Sequence, residues 1–155
     1  MSLEKFCHRT VVSVSPTDNI QEACQLLRTK NIGCLLAEED GKLCGILTDR
    51  DIALRVVGEG KDPKWTRVRE VMTPNPVRIA VDKSLHELTS MMHAHHIRRV
   101  PIVDEEGKAI GIVTFDDLLA LLGDELSDMG QTVREAFLAK PVMTGPEGYD
   151  WWASF

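Results

Sequence analysis

The stretch GILTDRDIA, Gly45 to Ala53, returns as GIVTFDDLLA, Gly111 to Ala120, so that Gly45, Ile46, Thr48 and Asp51 have counterparts in Gly111, Ile112, Thr114 and Asp117, 66 positions on. A repeat at this distance means that one supersecondary unit is used twice, and such a unit buries its apolar face by stacking on its neighbour. The first copy reads TVVSVSPTDNIQEACQLLRTKNIGCLLAEEDGKLCGILTDRDIA and the second PVRIAVDKSLHELTSMMHAHHIRRVPIVDEEGKAIGIVTFDDLLA.

Both copies predict the same elements in the same order. Val11, Val12 and Val14 precede a Pro-Thr-Asp break, as Val77, Ile79 and Val81 precede Asp82, which marks a short strand followed by a helix start. Ile20, Ala23, Cys24 and Leu27 then recur at helical spacing, and Leu85, Leu88, Thr89 and Met92 form the same stripe. Two apolar runs follow, joined by an acidic turn that ends at Gly41 or Gly107, the pattern of a hairpin. A second helix begins at TDRD or TFDD. The order is β-α-β-β-α twice, an α+β fold, and the change of offset from 65 to 66 residues is placed near Asn31 and His96.

The expected division is residues 8–57 for the first repeat, 58–75 for a connector, 76–122 for the second repeat, and 123–155 for a C-terminal helix and aromatic tail. The connector is rich in Gly, Pro and charge, and Trp65, Val68, Val71 and Met72 are placed to pin it to the core. Leu126, Met129, Val133 and Phe137 predict a further amphipathic helix from about Asp124 to Ala139. Trp151, Trp152 and Phe155 in so short a tail ask for cover. That cover is the tail's own domain or a dimer mate, unless the segment is a non-native addition.

A length of 155 residues suits one compact unit, and 43% hydrophobic content builds a core. The formal charge of -6 argues against broad nucleic-acid or anionic-membrane binding. The absence of an apolar run of about 18 residues and of a signal core points to a cytoplasmic protein without membrane insertion. Cys7, Cys24, Cys34 and Cys44 show no ligand or disulfide spacing and read as buried, inert thiols. On the offset above, the last three match Thr89, Val100 and Ile110.

The duplicated G-I-x-T-x-x-D, the linking VMTPNPVRI and the stretch HHIRRVPIVDEEGKAIGIVTFDDLL together resemble a tandem cystathionine β-synthase (CBS) domain pair, over roughly residues 8–122. The resemblance implies two repeats packed sheet to sheet as a pseudo-two-fold Bateman module with two clefts. It implies an adenosine-containing regulatory ligand, AMP, ADP or ATP in the first place, no required cofactor, a homodimer, and a regulated enzyme or transporter as partner.

Spacing alone makes Thr48-x-x-Asp51 and Thr114-x-x-Asp117 helix caps, in which the hydroxyl takes an orphan backbone N–H and the acid faces the positive helix end. The same carboxylate can accept from a ribose diol, and the resemblance implies that Thr48, Asp51, Thr114 and Asp117 hold ribose. His93, His95 and His96 invite a metal, yet no acid or thiol stands at ligand spacing beside them, and no metal site is expected. The resemblance instead directs His95, His96, Arg98 and Arg99 to phosphates, Arg98 being suited to a forked contact. Arg99 has a competing reading as a surface partner of Asp104 or Glu105. Lys30 and Arg50 are the corresponding cations of the first copy, where Asp116 replaces Arg50 in the second, so the second-repeat site is expected to be the better one. Adenine contacts are assigned by resemblance to Val11 and Val12 in one cleft and to Pro76, Val77 and Val100 in the other, although such residues are core by default.

Four function classes remain in view: a non-catalytic nucleotide sensor; a structural dimerisation module with no ligand, or a sensor of S-adenosylmethionine or NAD; an enzyme; and nucleic-acid binding through HHIRR, against which the overall acidity argues. No cysteine pairs with a histidine in a defensible pattern and no P-loop is present, which argues against catalysis. The presence of both Asp51 and Asp117 favours ligand binding over an empty structural module.

Overall fold

The structure, a computed structural model, describes Leu3 and residues 11–138. Cys7 and the aromatic tail lie outside the described residues. The chain divides into two compact units rather than the one expected, the first ending at Phe115 and the second beginning at Asp116.

In the first unit, β1 (Ser13–Val14), α1 (Ile20–Lys30), β2 (Cys34–Glu39), β3 (Lys42–Thr48) and α2 (Asp49–Ile52) make the first repeat, and α2 runs on into a five-residue π-helical turn, Ala53–Val57. The connector contributes α3 (Val68–Val71) and β4 (Thr73–Pro74). The second repeat supplies β5 (Ile79–Ala80), α4 (Leu85–His95), β6 (Arg99–Val103) and β7 (Ala109–Thr114), and α5 (Phe115–Leu138) follows at once. One sheet has the order β1-β2-β3-β4 and the other β5-β6-β7. In each, the first pairing is parallel and the hairpin antiparallel.

The helices begin and end where side chains satisfy their orphan backbone groups. Asn19 Oδ1 accepts from the Glu22 N–H at 2.9 Å to start α1. Ser84 and Glu87 cap α4 reciprocally, Glu87 Oε2 accepting from both the Ser84 N–H and hydroxyl at 2.8 Å. Both helices stop at left-handed residues, Asn31 (φ 52°) and His96 (φ 53°), a conformation that Asn and His tolerate better than most.

These equivalences move the offset change. Asn31 and His96 are still 65 apart, and so are Cys34 and Arg99, because Cys34 pairs with Thr48 as Arg99 pairs with Thr114. The extra residue lies in the hairpin loop. In the first copy Asp40 (φ 52°) and Gly41 (φ 75°) close a two-residue turn with both residues at positive φ. In the second, Asp104 Oδ1 accepts from the N–H of Glu106 and of Lys108 across a longer loop. The counterpart of Cys34 is therefore Arg99, not Val100.

The first repeat's core gathers Ile20, Ala23, Leu35, Leu47, Ile52 and Val56 with Val68 and Val71 of the connector. The connector is stitched to the start of α1 by backbone bonds: Ile20 N to Thr66 O (3.0 Å), Gln21 N to Pro63 O (3.1 Å) and Val68 N to Asp18 O (2.9 Å). Trp65, expected to pin this segment, is 76% exposed instead. A Cβ at Gly45 would overlap Met72 Sδ, so a side chain there would have to displace the flexible Met72 side chain. Cys24, Cys34 and Cys44 are half-buried rather than buried, and burial raises the pKa of each thiol.

A second cluster joins the two repeats: Leu36 and Leu43 of the first pack with Val103 and Ala109 of the second, with Val11, Ile46 and Ile112 against them. The Leu43 N–H donates to Gly107 O at 3.1 Å, and Arg78 Nη1 donates to Leu43 O at 3.4 Å.

The separate helix expected at 124–139 is not separate, because α5 is continuous from Phe115 to Leu138. Between Ala120 and Glu125 only Gly123 weakens it, and one glycine costs a helix about 1 kcal/mol without ending it. The first copy ends at Gly58-Glu59-Gly60 and, shortly after, Pro63. No helix among the described residues is long and apolar enough to cross a membrane.

The Ser84–Glu87 cap predicts a pH dependence. Hydrogen bonds from the Ser84 N–H and hydroxyl lower the Glu87 pKa from 4.5 to about 2. A carboxylate depressed on folding adds stability that is complete above its unfolded pKa and is lost as pH falls through the folded value. Stability measured by denaturant unfolding should fall between pH 4.5 and about 2, and Glu87→Gln should flatten that part of the profile; an unchanged profile would remove the cap from the account.

Candidate functional site

Where the two repeats meet, a cavity of about 260 Å³ opens, slightly under the roughly 300–1,000 Å³ of common small-molecule pockets. The first repeat lines it with Val11, Val12, Ile32, Gly33, Cys34 and Leu36, and the second with Arg99, Ile112 and Thr114. Its walls are mainly apolar, and the polar groups converge from a single cross-strand pair, since Arg99 opens β6 directly opposite Thr114 at the end of β7. Residues paired in this way point to the same face of a sheet, which brings a cation and a hydroxyl together although 14 residues separate them in sequence.

Gly33 makes room for that cation. A Cβ at position 33 would sit 3.3 Å from Arg99 Nη2 and 3.4 Å from Asp49 Oδ2, so the guanidinium reaches across from the second repeat over bare backbone of the first. Asp49 donates its own N–H to Gly33 O at 3.2 Å. Cys34 stands beside them; its thiol is pushed up by burial, with Arg99 opposing the shift and Asp49 adding to it. A thiol raised in this way stays protonated at neutral pH and acts as apolar wall.

The two Thr-x-x-Asp motifs serve different surroundings. Thr48 and Asp51 form a complete capping box: Asp51 Oδ2 accepts from the Thr48 N–H (2.9 Å) and hydroxyl (2.6 Å), and the Asp51 N–H donates to Thr48 Oγ1 (3.1 Å). The other oxygen, Oδ1, pairs with Arg55 Nη2 at 3.3 Å, and Arg55 Nη1 donates to Val71 O at 2.6 Å. Both Asp51 oxygens are therefore engaged locally, in a link running from the α2 cap to the connector helix. Thr114 lines the cavity, and Asp117 sits in the first turn of α5.

The remaining expected residues are distributed as follows. Arg98 is exposed and its guanidinium carbon lies 5.6 Å from the centroid of the Phe115 ring, a cation–π distance. His95 ends α4, and His96 is its left-handed cap. The rings of His93 and His96 meet edge-on with centroids 6.4 Å apart, and among the described residues no group of three metal-ligating side chains forms. Lys30 and Arg50 are exposed, Lys30 in the last turn of α1. Pro76 is buried, Val77 half-buried, and Val100 fully buried in the core, on the opposite face of β6 from Arg99. Sequence reasoning missed Gly33, Cys34, Ile32, Leu36 and Ile112. The signal that finds Cys34 and Gly33 is the strand register, which needs the hairpin loop lengths to be read correctly.

A second, more open depression of about 370 Å³ lies on the first repeat between α1 and α2, lined by Cys24, Leu27, Arg28, Asn31, Asp49 and Ile52 among others.

The CBS domain pattern matches residues 3–58 and 68–124 of this chain. The CBS domain-containing protein YhcV of Bacillus subtilis is 44% identical over 108 residues, which is 70% of this chain and 76% of that protein. An inosine-5'-monophosphate dehydrogenase of Methanocaldococcus jannaschii is 35% identical over 112 residues, 72% of this chain and 21% of the enzyme. Among solved structures, the CBS domain pair of protein MJ0100 in complex with 5'-methylthioadenosine and S-adenosyl-L-methionine superposes with a TM-score of 0.72 at 28% identity, covering 81% of this chain and 98% of that one.

The engagement of Asp51 yields a stability prediction that needs no ligand. Asp51→Ala removes the reciprocal cap and the Arg55 partner, and should cost about 1–2 kcal/mol of unfolding free energy. Urea denaturation of the ligand-free protein checks this, and a change below about 0.3 kcal/mol would show that the carboxylate is not structural.

Proposed function

The chain belongs to the CBS domain family, and from that premise we propose that it is a non-catalytic sensor whose cavity between the repeats binds an adenosine-containing ligand. The observation that carries this is the cross-strand pairing of Arg99 with Thr114 in the lining of an otherwise apolar cavity. An apolar wall suits a purine face, a guanidinium suits a phosphate oxygen, and a threonine hydroxyl suits a ribose hydroxyl. Val11 and Val12 then take adenine, Thr114 takes the ribose, and Arg99 takes the phosphate, with AMP, ADP or ATP as ligand. Arg98, His95 and His96 are left for the outer phosphates of a longer ligand.

A second reading is favoured by the MJ0100 pair, whose ligands carry adenosine on sulfur instead of phosphate. The half-buried Cys34 thiol beside Arg99 provides a soft contact for such a group. In both readings occupancy acts on a regulated enzyme or transporter, in a cytoplasmic homodimer, through the different affinities of two conformations for the ligand.

Thermal unfolding with AMP, ADP, ATP, S-adenosylmethionine, 5'-methylthioadenosine and NAD tests the reading. A ligand present at 100 times its Kd stabilises the folded state by about 2.7 kcal/mol. Arg99→Ala should weaken AMP about tenfold or more while sparing adenosine; Thr114→Val should weaken both. Absence of a melting shift with every adenosine compound at millimolar concentration overturns the proposal, and equal losses for AMP and adenosine in Arg99→Ala overturn the assignment of Arg99.

A further inference from the structure

Asp49 is an acid that neither the repeat nor the helix cap requires. Thr48 and Asp51 complete the α2 capping box without it, and in the second repeat Phe115 holds the equivalent position, directly after Thr114. The carboxylate is therefore particular to the first repeat, and its surroundings show what it acts on.

A Cβ at position 33 would lie 3.3 Å from Arg99 Nη2, 3.4 Å from Asp49 Oδ2 and 3.8 Å from Asp49 Cγ. These are the nearest atoms outside the chain neighbours of Gly33, so Arg28, which lines the same open depression as Asp49, stands farther off. Asp49 Oδ1 already accepts from the Arg50 N–H at 2.8 Å. Across bare backbone from Arg99, the first charge met is thus a negative one.

Size makes that charge matter. The cavity holds about 260 Å³, at the small end for ligand pockets, so a nucleoside with its first phosphate on Arg99 fills it. Phosphates beyond the first must lie outside, and each brings further negative charge. Those that pass over Gly33 meet the Asp49 carboxylate beside low-dielectric walls, where repulsion is less screened than in bulk water. Arg98 compensates only by leaving its present place, since its guanidinium carbon lies 5.6 Å from the Phe115 ring centroid and its carbonyl accepts from the Phe115 N–H at 2.8 Å. His95 and His96 are exposed side chains, and electrostatic attraction at such places is weakened by water and salt.

We propose that Asp49 is a specificity-determining residue that restricts the site to one phosphate, so that the chain binds the adenosine monophosphate and discriminates against the di- and triphosphate. The proposal rests on the reading of the cavity given above and sharpens it. A site indifferent to phosphate number would be filled by whichever nucleotide is most abundant, whereas a site that repels the longer chains reports the monophosphate in their presence. Because Asp49 is itself exposed, the discrimination is several-fold and not absolute.

The test is isothermal titration calorimetry on the full chain with adenosine, AMP, ADP and ATP, at low salt and without divalent cations. The wild-type protein should bind AMP about fivefold more tightly than ADP and more tightly still than ATP. Asp49→Asn should raise ATP affinity about fivefold relative to AMP and leave adenosine unchanged. Glu106→Gln removes the same charge from the exposed hairpin loop at the far end of β6 and should keep the wild-type ratio. An acid in the first turn also suits the helix dipole, but that role alone would move stability and not the AMP-to-ATP ratio. ATP bound as tightly as AMP by the wild type, an unchanged ratio in Asp49→Asn, or an equal gain in Glu106→Gln overturns the role of Asp49 while leaving the cavity as the adenosine site. Absence of binding by all these compounds overturns both. Asparagine keeps the side-chain oxygen that accepts from Arg50, and the Asp49 N–H bond to Gly33 O belongs to the backbone, so loss of folding does not confound the result.

Discussion

The contact between the two hairpins is the constraint from which the candidate site follows. Leu36 and Leu43 pack on Val103 and Ala109, and a backbone bond from Leu43 to Gly107 fixes the hairpins in register. Neither repeat encloses the cavity alone: Val11, Val12 and Gly33 come from one copy, and Arg99 and Thr114 from the other. The apolar contact both stabilises the pair and sets the distance at which a guanidinium from β6 can pass over Gly33. A bulkier residue at 33 would press on Arg99 directly, so a backbone choice in the first repeat governs a side chain of the second.

The same four-residue motif has acquired two environments. In the first repeat, the Asp51 carboxylate closes a capping box and holds Arg55, which in turn holds the Val71 carbonyl. Val68 and Val71 are completely buried in that repeat's core, so the cap, the arginine and the connector form one mechanical path. A ribose diol seeking Asp51 would compete with three contacts already made. In the second repeat Thr114 faces the cavity. The spacing alone did not say that the first motif would close a cap tied to the connector, nor that the threonine of the second would line a cavity.

The repeat, the element order and most of the buried stripe of α1 were legible because hydrophobic period is a local signal; in α4 only Leu88 and Met92 of the expected stripe are buried, while Thr89 is exposed and its hydroxyl donates to His86 O. The helix starts were read at the Pro-Thr-Asp break and at Asp82, and the caps fall just beyond, at Asn19 and Ser84. The offset change was misplaced because loop length is decided by turn chemistry: Asp40-Gly41 closes in two residues, while Asp104 organises a longer loop through its own carboxylate. One residue of error moved Cys34 from the partner of Arg99 to the partner of Val100 and hid it from the site. Trp65 misled for a different reason. Val68 and Val71 already fill the available core, and helical spacing does not say which large residue will be left outside.

Near-symmetry makes the unequal pair informative. Residues at matching places in two repeats approach each other around a pseudo-two-fold axis, so two identical arginines at 34 and 99 would have set two like charges near one another in a partly desolvated cavity, an unfavourable arrangement without a bound anion. With cysteine at 34 the cavity keeps one cation that stands beside the Asp49 carboxylate and needs no ligand to be tolerated. A sensor requires that property, because a cleft that is stable only when occupied cannot report on the concentration of what occupies it.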